Sequence, residues 1–200
     1  MEPRSLAARR GRRHLNETEP SLAMNAHSHA QPAPAPEESA RLALTYRAGM
    51  RKLAGAASIL TVGEGESRNG LTTTSVSSLS VEPPTLVVCV NKAASARAEL
   101  TRRGCFAINV LRPHHRFLAE QFAGKDGMKG AARYAGARWT RLETGAPVLE
   151  DALAAFDCEL EEAIERHSHV ILLGRVVRAR IAETGAPLAY WDGDYRTLAV

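Results

Sequence analysis

The sequence is short of the residues that many functions require. Cysteine occurs three times in 200 residues, at positions 89, 105 and 158. The three are far apart and form no CxxC pair, which excludes a zinc ribbon and a thioredoxin-like redox site. A disulfide scaffold is not expected, and the expected compartment is a reducing cytoplasm. Aromatic residues make up 5% of the chain, which weakens any case for stacking along single-stranded nucleic acid. No apolar run approaches the ~18 residues of a membrane span. The longest, Thr85 to Val90 and Val170 to Leu173, are strand-sized. Arg-rich residues 4 to 13 are followed by no apolar segment, so a signal peptide is not expected. No GxGxxG follows a strand, no GxxxxGK[ST] occurs, and there is no GxSxG elbow, so Rossmann binding, a P-loop and a nucleophile elbow find no support.

What remains has an ordinary globular composition, 44% hydrophobic and 24% charged. The length suits one domain with a sizeable core. Lys and Arg exceed Asp and Glu by 26 to 22, giving a formal charge of +4. A mildly basic chain raises the question of nucleic acid. The distribution argues against it. Residues 1 to 13 carry five Arg (Arg4, Arg9, Arg10, Arg12, Arg13) against Glu2, and residues 14 to 40 carry four acids and no Lys or Arg. The first 40 residues therefore sum to zero, and the +4 belongs to residues 41 to 200. No nucleic-acid or membrane partner is expected.

Residues 1–38 read as a disordered arm, because the Pro-Ala repeat at 31–36 favours extended conformation and has nothing to bury. A helix is expected from about Glu38 or Ser39, with Leu42, Tyr46, Met50 and Leu53 on one apolar face and Gly55 as its stop. Strands follow at 57–62, at 71–80 as one extended segment, and at 85–90, the last apolar enough to be buried on both faces. A short helix is expected over 95–102, a strand over 105–111, a second short helix over 114–122, and an irregular Gly-rich stretch over 123–145. The antiparallel pair 156–164 and 169–181 closes the list. In the first of these, Phe156, Cys158, Leu160 and Ile164 alternate with polar residues. Glu-Thr-Gly-Ala-Pro occurs at 143–147 and again at 183–187 and reads as a reused turn. Five or six strands with few helical crossovers predict a mainly β fold, an antiparallel barrel decorated with short helices.

The strongest chemical feature is residues 70–80, GLTTTSVSSLS, in which seven of eleven residues carry hydroxyls. Threonine suits a pleated surface, but nothing apolar alternates with these hydroxyls, so an amphipathic strand explains them poorly. Hydroxyls and strand-end amides can surround a phosphate and a polyol chain. Downstream, Asn91, Lys92 and Ser95 add an amide, a cation and a hydroxyl at the expected helix start, a place suited to anions. Together the two segments point to a phosphorylated cofactor.

The run from Gly70 to Ser95 resembles the signature of the flavin reductase-like family, the small reductase components of two-component flavin monooxygenases. FAINVL at 106–111, QFAG at 121–124, TGAP at 144–147 and HVILLG at 169–174 follow in the family's order. The resemblance covers residues 40–198, and the domain is set at 39–200. It implies an antiparallel Greek-key FMN-binding split barrel and a homodimer. It also implies hydride transfer from NADH or NADPH to FMN or FAD, with reduced flavin passed to a separate monooxygenase. On that basis Thr72, Thr73, Thr74 and Ser75 line the flavin, with Ser77 and Ser78 continuing that run. Cys89, Asn91 and Lys92 lie near ring or phosphate, Ser95 near the phosphate, and Phe122 near the ring. His169 is the candidate for orienting the nicotinamide, and Tyr195 is a weaker match for a nucleotide contact. Hydride transfer needs positioned rings more than an acid–base pair, so no catalytic side chain is assigned. The alternatives are a flavin-binding oxidase, a flavin- or haem-binding protein on the same barrel without enzymatic turnover, and a binding module whose Arg-rich arm contacts nucleic acid.

Rival readings of single residues complete the set. His167 and His169 would share a face if both lay on a strand, but no further metal ligand is evident and no metal is expected. His114 and His115 read as surface residues, Cys89 as a small buried hydrophobe, and Trp139 and Trp191 as packing residues.

Overall fold

The computed structural model describes residues 35–198. Helix α1 (Pro36–Met50) leads into strands β1 (Gly55–Ala56), β2 (Ser58–Val62), β3 (Asn69–Thr73), β4 (Ser77–Val81) and β5 (Pro84–Asn91). Then come α2 (Arg97–Arg103), β6 (Cys105–Val110), α3 (Arg116–Phe122), β7 (Trp139–Arg141) and β8 (Pro147–Leu149). The long hairpin β9 (Ala154–Arg166) and β10 (His169–Ile181) follows, and β11 (Leu188–Trp191) and β12 (Asp194–Thr197) end the described chain. The main sheet has the order β3-β2-β6-β9-β10-β5-β4, and every neighbouring pair is antiparallel. Small sheets β1-β11-β12 and β7-β8 flank it. The fold is therefore mainly β, as the sequence predicts.

The sheet has to roll. Its two edge strands, β3 and β4, are joined by residues 74–76 alone. Four backbone steps from Thr73 to Ser77 reach at most ~14 Å. Laid flat, the same edges would stand ~29 Å apart, six spacings of about 4.8 Å. Register shifts in the β9–β10 pair, at Leu173/Gly174 and Val176/Arg178, supply the bends, since an extra residue kinks and twists a strand.

Two apolar clusters form. Leu60, Val62, Leu86, Val88, Val90, Phe106, Ile108, Cys158, Val170 and Leu172 fill one, joined by Leu100 of α2. Ile59, Ala107, Leu118, Phe122, Tyr134, Val148, Leu149 and Leu188 form the other, where α3, β8 and β11 pack over β2, β6 and β9. Every residue of β2 is buried for this reason. Within it, Thr61 Oγ1 donates to the Pro147 carbonyl (2.5 Å), and buried Asn109 Nδ2 donates to Thr61 Oγ1 (3.1 Å) and to the Ile59 carbonyl (3.2 Å). Asn109 Oδ1 accepts from the Leu149 amide (2.8 Å). One asparagine thus joins β6, β2 and β8.

Several expectations need correction. The 71–80 segment is two strands on opposite edges of the sheet, because β3 finds its partner in β2 and β4 finds its own in β5. Strand β5 is fully buried on one face only: on the other Thr85 is buried but Val87 and Cys89 are half-buried, since the outer cluster covers β2, β6 and β9 and stops short of β5. The helix expected after the arm starts at Pro36, so residues 36–38 form its first turn. It ends at Met50, and Leu42, Tyr46, Met50 and Leu53 are all exposed. The rest of the expected arm, residues 1–34, lies outside the described residues. Both Glu-Thr-Gly-Ala-Pro copies make the same bend at Glu-Thr and run into a strand.

Candidate functional site

The hydroxyl segment spans the seam of the rolled sheet, and its own hydrogen bonds explain how. Thr72 Oγ1 donates to the Ala119 carbonyl at 2.6 Å, fastening β3 to α3. Thr73 Oγ1 accepts from the Ser75 amide (3.1 Å) and pairs with Ser75 Oγ (2.9 Å). Ser75 Oγ in turn donates to the Cys89 carbonyl and accepts from the Cys89 amide, both at 3.1 Å. Ser75 thus does for β5 what a strand partner would do, and it draws the two edges together. The Thr74 hydroxyl has no protein partner among the described residues.

Two clefts meet at this seam. The larger, of about 510 Å³, runs between the Asn91–Ser95 turn and the 129–133 segment, with Thr72, Phe122 and Ala123 between them. Among the described residues its lining holds two cations, Lys129 and Arg133, and no carboxylate. The smaller, of about 220 Å³, lies between Thr72–Thr74 and the rings of Tyr190 and Tyr195. Thr72 and Ala123 belong to both. Beyond Tyr195 lies a third cleft of about 510 Å³ bounded by Arg116, Lys125 and Gly193. There the Arg116 guanidinium stands over the Tyr195 ring, 5.5 Å from its centroid.

Seven of the expected residues line the first two clefts: Thr72, Thr73, Thr74, Asn91, Ser95, Phe122 and Tyr195. Asn91 Oδ1 accepts from the Ala93 amide (2.9 Å), which leaves the side-chain NH2 without a partner among the described residues. Ser95 Oγ donates to Asn69 Oδ1 (3.2 Å). Phe122 is 1% exposed and packs edge-on to Tyr134, so it forms the floor. Gly70 lies directly against its ring: a Cβ there would stand 2.7 Å from Phe122.

Other expected residues lie apart. Lys92 Nζ pairs with Glu165 at 2.9 Å and is absent from the cleft lining. Its cation, with Arg97 also near, holds the Glu165 carboxyl below the usual range. Ser75 and Cys89 support the seam from behind it. Ser77 and Ser78 line a different groove, of about 540 Å³, with Val76, Val81, Leu86, Phe156 and Val176. His169 opens β10 opposite Asn91 in register, exposed, with Nδ1 2.9 Å from Ser168 Oγ. His167 sits in the hairpin turn at φ 47°, so the two histidines do not share a strand face. Trp139 donates its indole N–H to the Tyr134 carbonyl at 3.0 Å and packs in the outer cluster, whereas Trp191 is exposed.

His115, expected at the surface, is 2% exposed. It forms a cluster with His114 and Asp151, whose carboxylate lies 3.0 Å from His114 Nε2 and 3.1 Å from His115 Nε2. His115 Nδ1 accepts from the Arg112 amide (3.1 Å). That fixes the proton of the neutral ring on Nε2, facing Asp151, and an Nε2 that carries a proton is not a metal ligand. Burial lowers the His115 pKa, which favours this neutral ring.

Sequence reading missed Lys129, Arg133 and Tyr190. Arg133 donates from Nη1 to the Gly70 carbonyl (2.6 Å) and from Nε to the Met128 carbonyl (3.0 Å), and its burial lowers its pKa. It lies in the glycine-rich stretch that carries no periodic signal. Tyr190 was findable: Asp192 and Gly193, at φ 50° and 88°, are the Asp-Gly pair of a tight hairpin turn. That turn pairs Tyr190 with Tyr195 across strands.

Comparison with known proteins agrees with this architecture. The family model described as flavin reductase like domain matches residues 50–199. The chain is 42% identical over 155 residues to the FMN reductase (NADH) RutF of Agrobacterium fabrum, covering 78% of this chain and 88% of that one. With the enzyme of the same name from Variovorax paradoxus it shares 36% over 174 residues, 87% and 94% of the two chains. Among solved structures, the flavin reductase component of a bacterial two-component tryptophan halogenase superposes with a TM-score of 0.72 at 30% identity, over 78% of this chain and 98% of that one. An NADH:FAD oxidoreductase of Streptomyces globisporus also gives 0.72, at 28% identity, over 85% and 100%. With the order of its motifs, the rolled antiparallel sheet and the family match all in agreement, the chain belongs to the family of flavin reductase-like domains.

Proposed function

We propose that the protein is an NADH-dependent FMN reductase that supplies reduced flavin to a separate monooxygenase. The observation that carries this reading is the junction of the two clefts at Thr72 and Ala123. One side offers an amide, hydroxyls and two cations with no carboxylate, which suits a phosphate and a polyol chain. The other is a slot between threonines and tyrosine rings, which suits a flat heterocycle. The choice of FMN and NADH follows the names of the curated relatives. A bound flavin would accept hydride at its N5 from the nicotinamide C4.

The chain's own residues bind and orient. Thr72, Thr73 and Thr74 border the ring and its side chain. Ser75 and the Cys89 backbone keep their spacing fixed, and Asn91 and Ser95 border the phosphate end. Phe122 supports the floor from below. His169, across β5 from the seam, orients the nicotinamide. No side chain needs to gain or lose a proton for this transfer, which agrees with the first two clefts having no carboxylate among the described residues that line them.

A homodimer is part of the same proposal. Helix α1 presents Leu42, Tyr46 and Met50 to solvent, and the 540 Å³ groove beside β4 is lined by Val76, Val81 and Leu86. Exposed apolar surface of this extent marks an interaction site, and a second copy offers the matching element to each. The three free thiols fit a reducing cytoplasm, and among the described residues no helix is long and apolar enough to cross a membrane.

The test is NADH consumption by the purified chain with FMN and with FAD added. Turnover with FMN is expected. No NADH oxidation above background with either flavin would sink the reading.

A further inference from the structure

Two lysines stand near the flavin-facing cleft, Lys92 within the Asn91–Ser95 turn and Lys129 on the cleft lining, and their surroundings differ. Lys92 is committed elsewhere. Its Nζ is paired with Glu165 at 2.9 Å, and its amide donates to the Ser168 carbonyl at 2.9 Å. It therefore fastens the turn to the β9–β10 hairpin. Lys129 lies on the cleft itself, exposed, with no ion-pair or hydrogen-bond partner among the described residues.

The backbone that carries Lys129 is held in place. Arg133 donates to the carbonyl of Met128, the residue just before it, and to the carbonyl of Gly70 in β3. One guanidinium thus clamps the start of the 129–133 segment to the strand that carries the threonines. Two of its five N–H donors, one on Nε and one on Nη1, are given to carbonyls, and the guanidinium is thereby fixed in place. An ammonium with three free donors remains, across the cleft from Asn91 and Ser95.

We propose that Lys129 is the cation that meets the flavin's terminal phosphate, with Arg133 as its positioning residue, and that Lys92 acts only through the hairpin. The proposal rests on the flavin reading above. A terminal phosphate monoester carries nearly two negative charges at neutral pH, and riboflavin carries none. The prediction is therefore one of selectivity between these two ligands.

The experiment is a fluorescence titration of the full chain with FMN and, separately, with riboflavin. It is run on the wild type and on Lys129→Gln, Lys129→Arg and Lys92→Gln. A lost charge-assisted hydrogen bond should raise the FMN Kd of Lys129→Gln about tenfold and leave the riboflavin Kd within about twofold. Lys129→Arg should restore most of the preference, and Lys92→Gln should change the FMN-to-riboflavin ratio less than Lys129→Gln does. An unchanged ratio in Lys129→Gln, or a larger loss at Lys92→Gln, overturns the proposal. If the wild type binds neither flavin, the flavin reading fails first and the assignment of Lys129 falls with it. That outcome differs from FMN binding that is indifferent to Lys129.

Discussion

Gly70 shows how little room single positions leave around the site. A Cβ at this residue would stand 2.5 Å from the Leu60 carbonyl oxygen and 2.7 Å from the Phe122 ring. Neither neighbour can yield: one is sheet backbone, the other a ring with 1% exposure. Gly70→Ala should therefore lose about 1–3 kcal/mol of stability through overpacking, seen as a lower denaturant midpoint; an unchanged midpoint would show that the floor is soft. Glu99 makes a pH prediction. Its carboxylate accepts from Arg102 Nε (2.9 Å), Arg103 Nε (3.1 Å) and Ser67 Oγ (3.1 Å), and these bonds, Arg102's foremost, lower its pKa from 4.5 to about 2. The folded state holds this proton less tightly than the unfolded one. The stabilisation is thus complete above pH 4.5 and is lost as pH falls from there to about 2. Glu99→Gln should flatten the acid decline of the denaturation midpoint over that window, and an identical decline in both proteins would refute the pairing. At His169, the exposed position opposite Asn91 leads to a kinetic split. His169→Ala should slow NADH oxidation while the FMN Kd stays near that of the wild type. Unchanged turnover in steady-state assays would remove His169 from the nucleotide site.

Among the elements, the three-residue link 74–76 matters most to the site. Ser75 replaces a ladder bond by bonding to both backbone groups of Cys89. Ser75→Ala leaves those groups to water, since the bonds are exposed, so the loss should be about 1 kcal/mol. Because the link also spaces the threonines, flavin affinity should fall with it. A variant with wild-type stability and affinity, measured by denaturation and titration, would mean that the seam is held by other contacts. The sequence disclosed this segment's chemistry but not its shape. Seven hydroxyl residues in eleven mark a polar purpose, yet 70–80 holds no proline, and its one glycine, Gly70, lies within β3, so nothing flags a change of partner at Thr74. The β9–β10 pair was legible because Cys158 and Leu160, and likewise Val170 and Leu172, keep the period of two. The β11–β12 hairpin was written in Asp192-Gly193, but its strands are only four residues each and show no alternation that stands out. The part of the site carried by the hydroxyl run, by Asn91 and Ser95 and by the motif residues Phe122 and Tyr195 was readable, and the part that tertiary assembly brings in, Lys129, Arg133 and Tyr190, was not.

For the whole molecule, two apolar surfaces lie uncovered among the described residues. One is α1, in which no residue is buried. A lone helix of 15 residues is marginal in water, and just past the C-terminal end of this one Lys52 pairs with Asp192 at 3.2 Å. The other is the groove beside β4, where Val81 is 79% exposed next to Val76, Leu86 and Val176. A two-fold dimer buries each such surface twice, since whatever one copy presents the other presents as well. The same chain that satisfies its core with two internal clusters thus has an unsatisfied exterior, and the simplest partner is itself. Light scattering behind size-exclusion chromatography should give twice the chain mass, and Val81→Asp should shift the mass toward that of one chain. Because Val81 is exposed in the single chain, its substitution should leave far-ultraviolet circular dichroism unchanged, so a loss of mass separates from a loss of fold. A wild type that runs at the mass of one chain at micromolar concentration would dismiss the dimer. A Val81→Asp protein that remains dimeric would move the interface away from the groove and onto α1, where Leu42→Glu becomes the deciding variant.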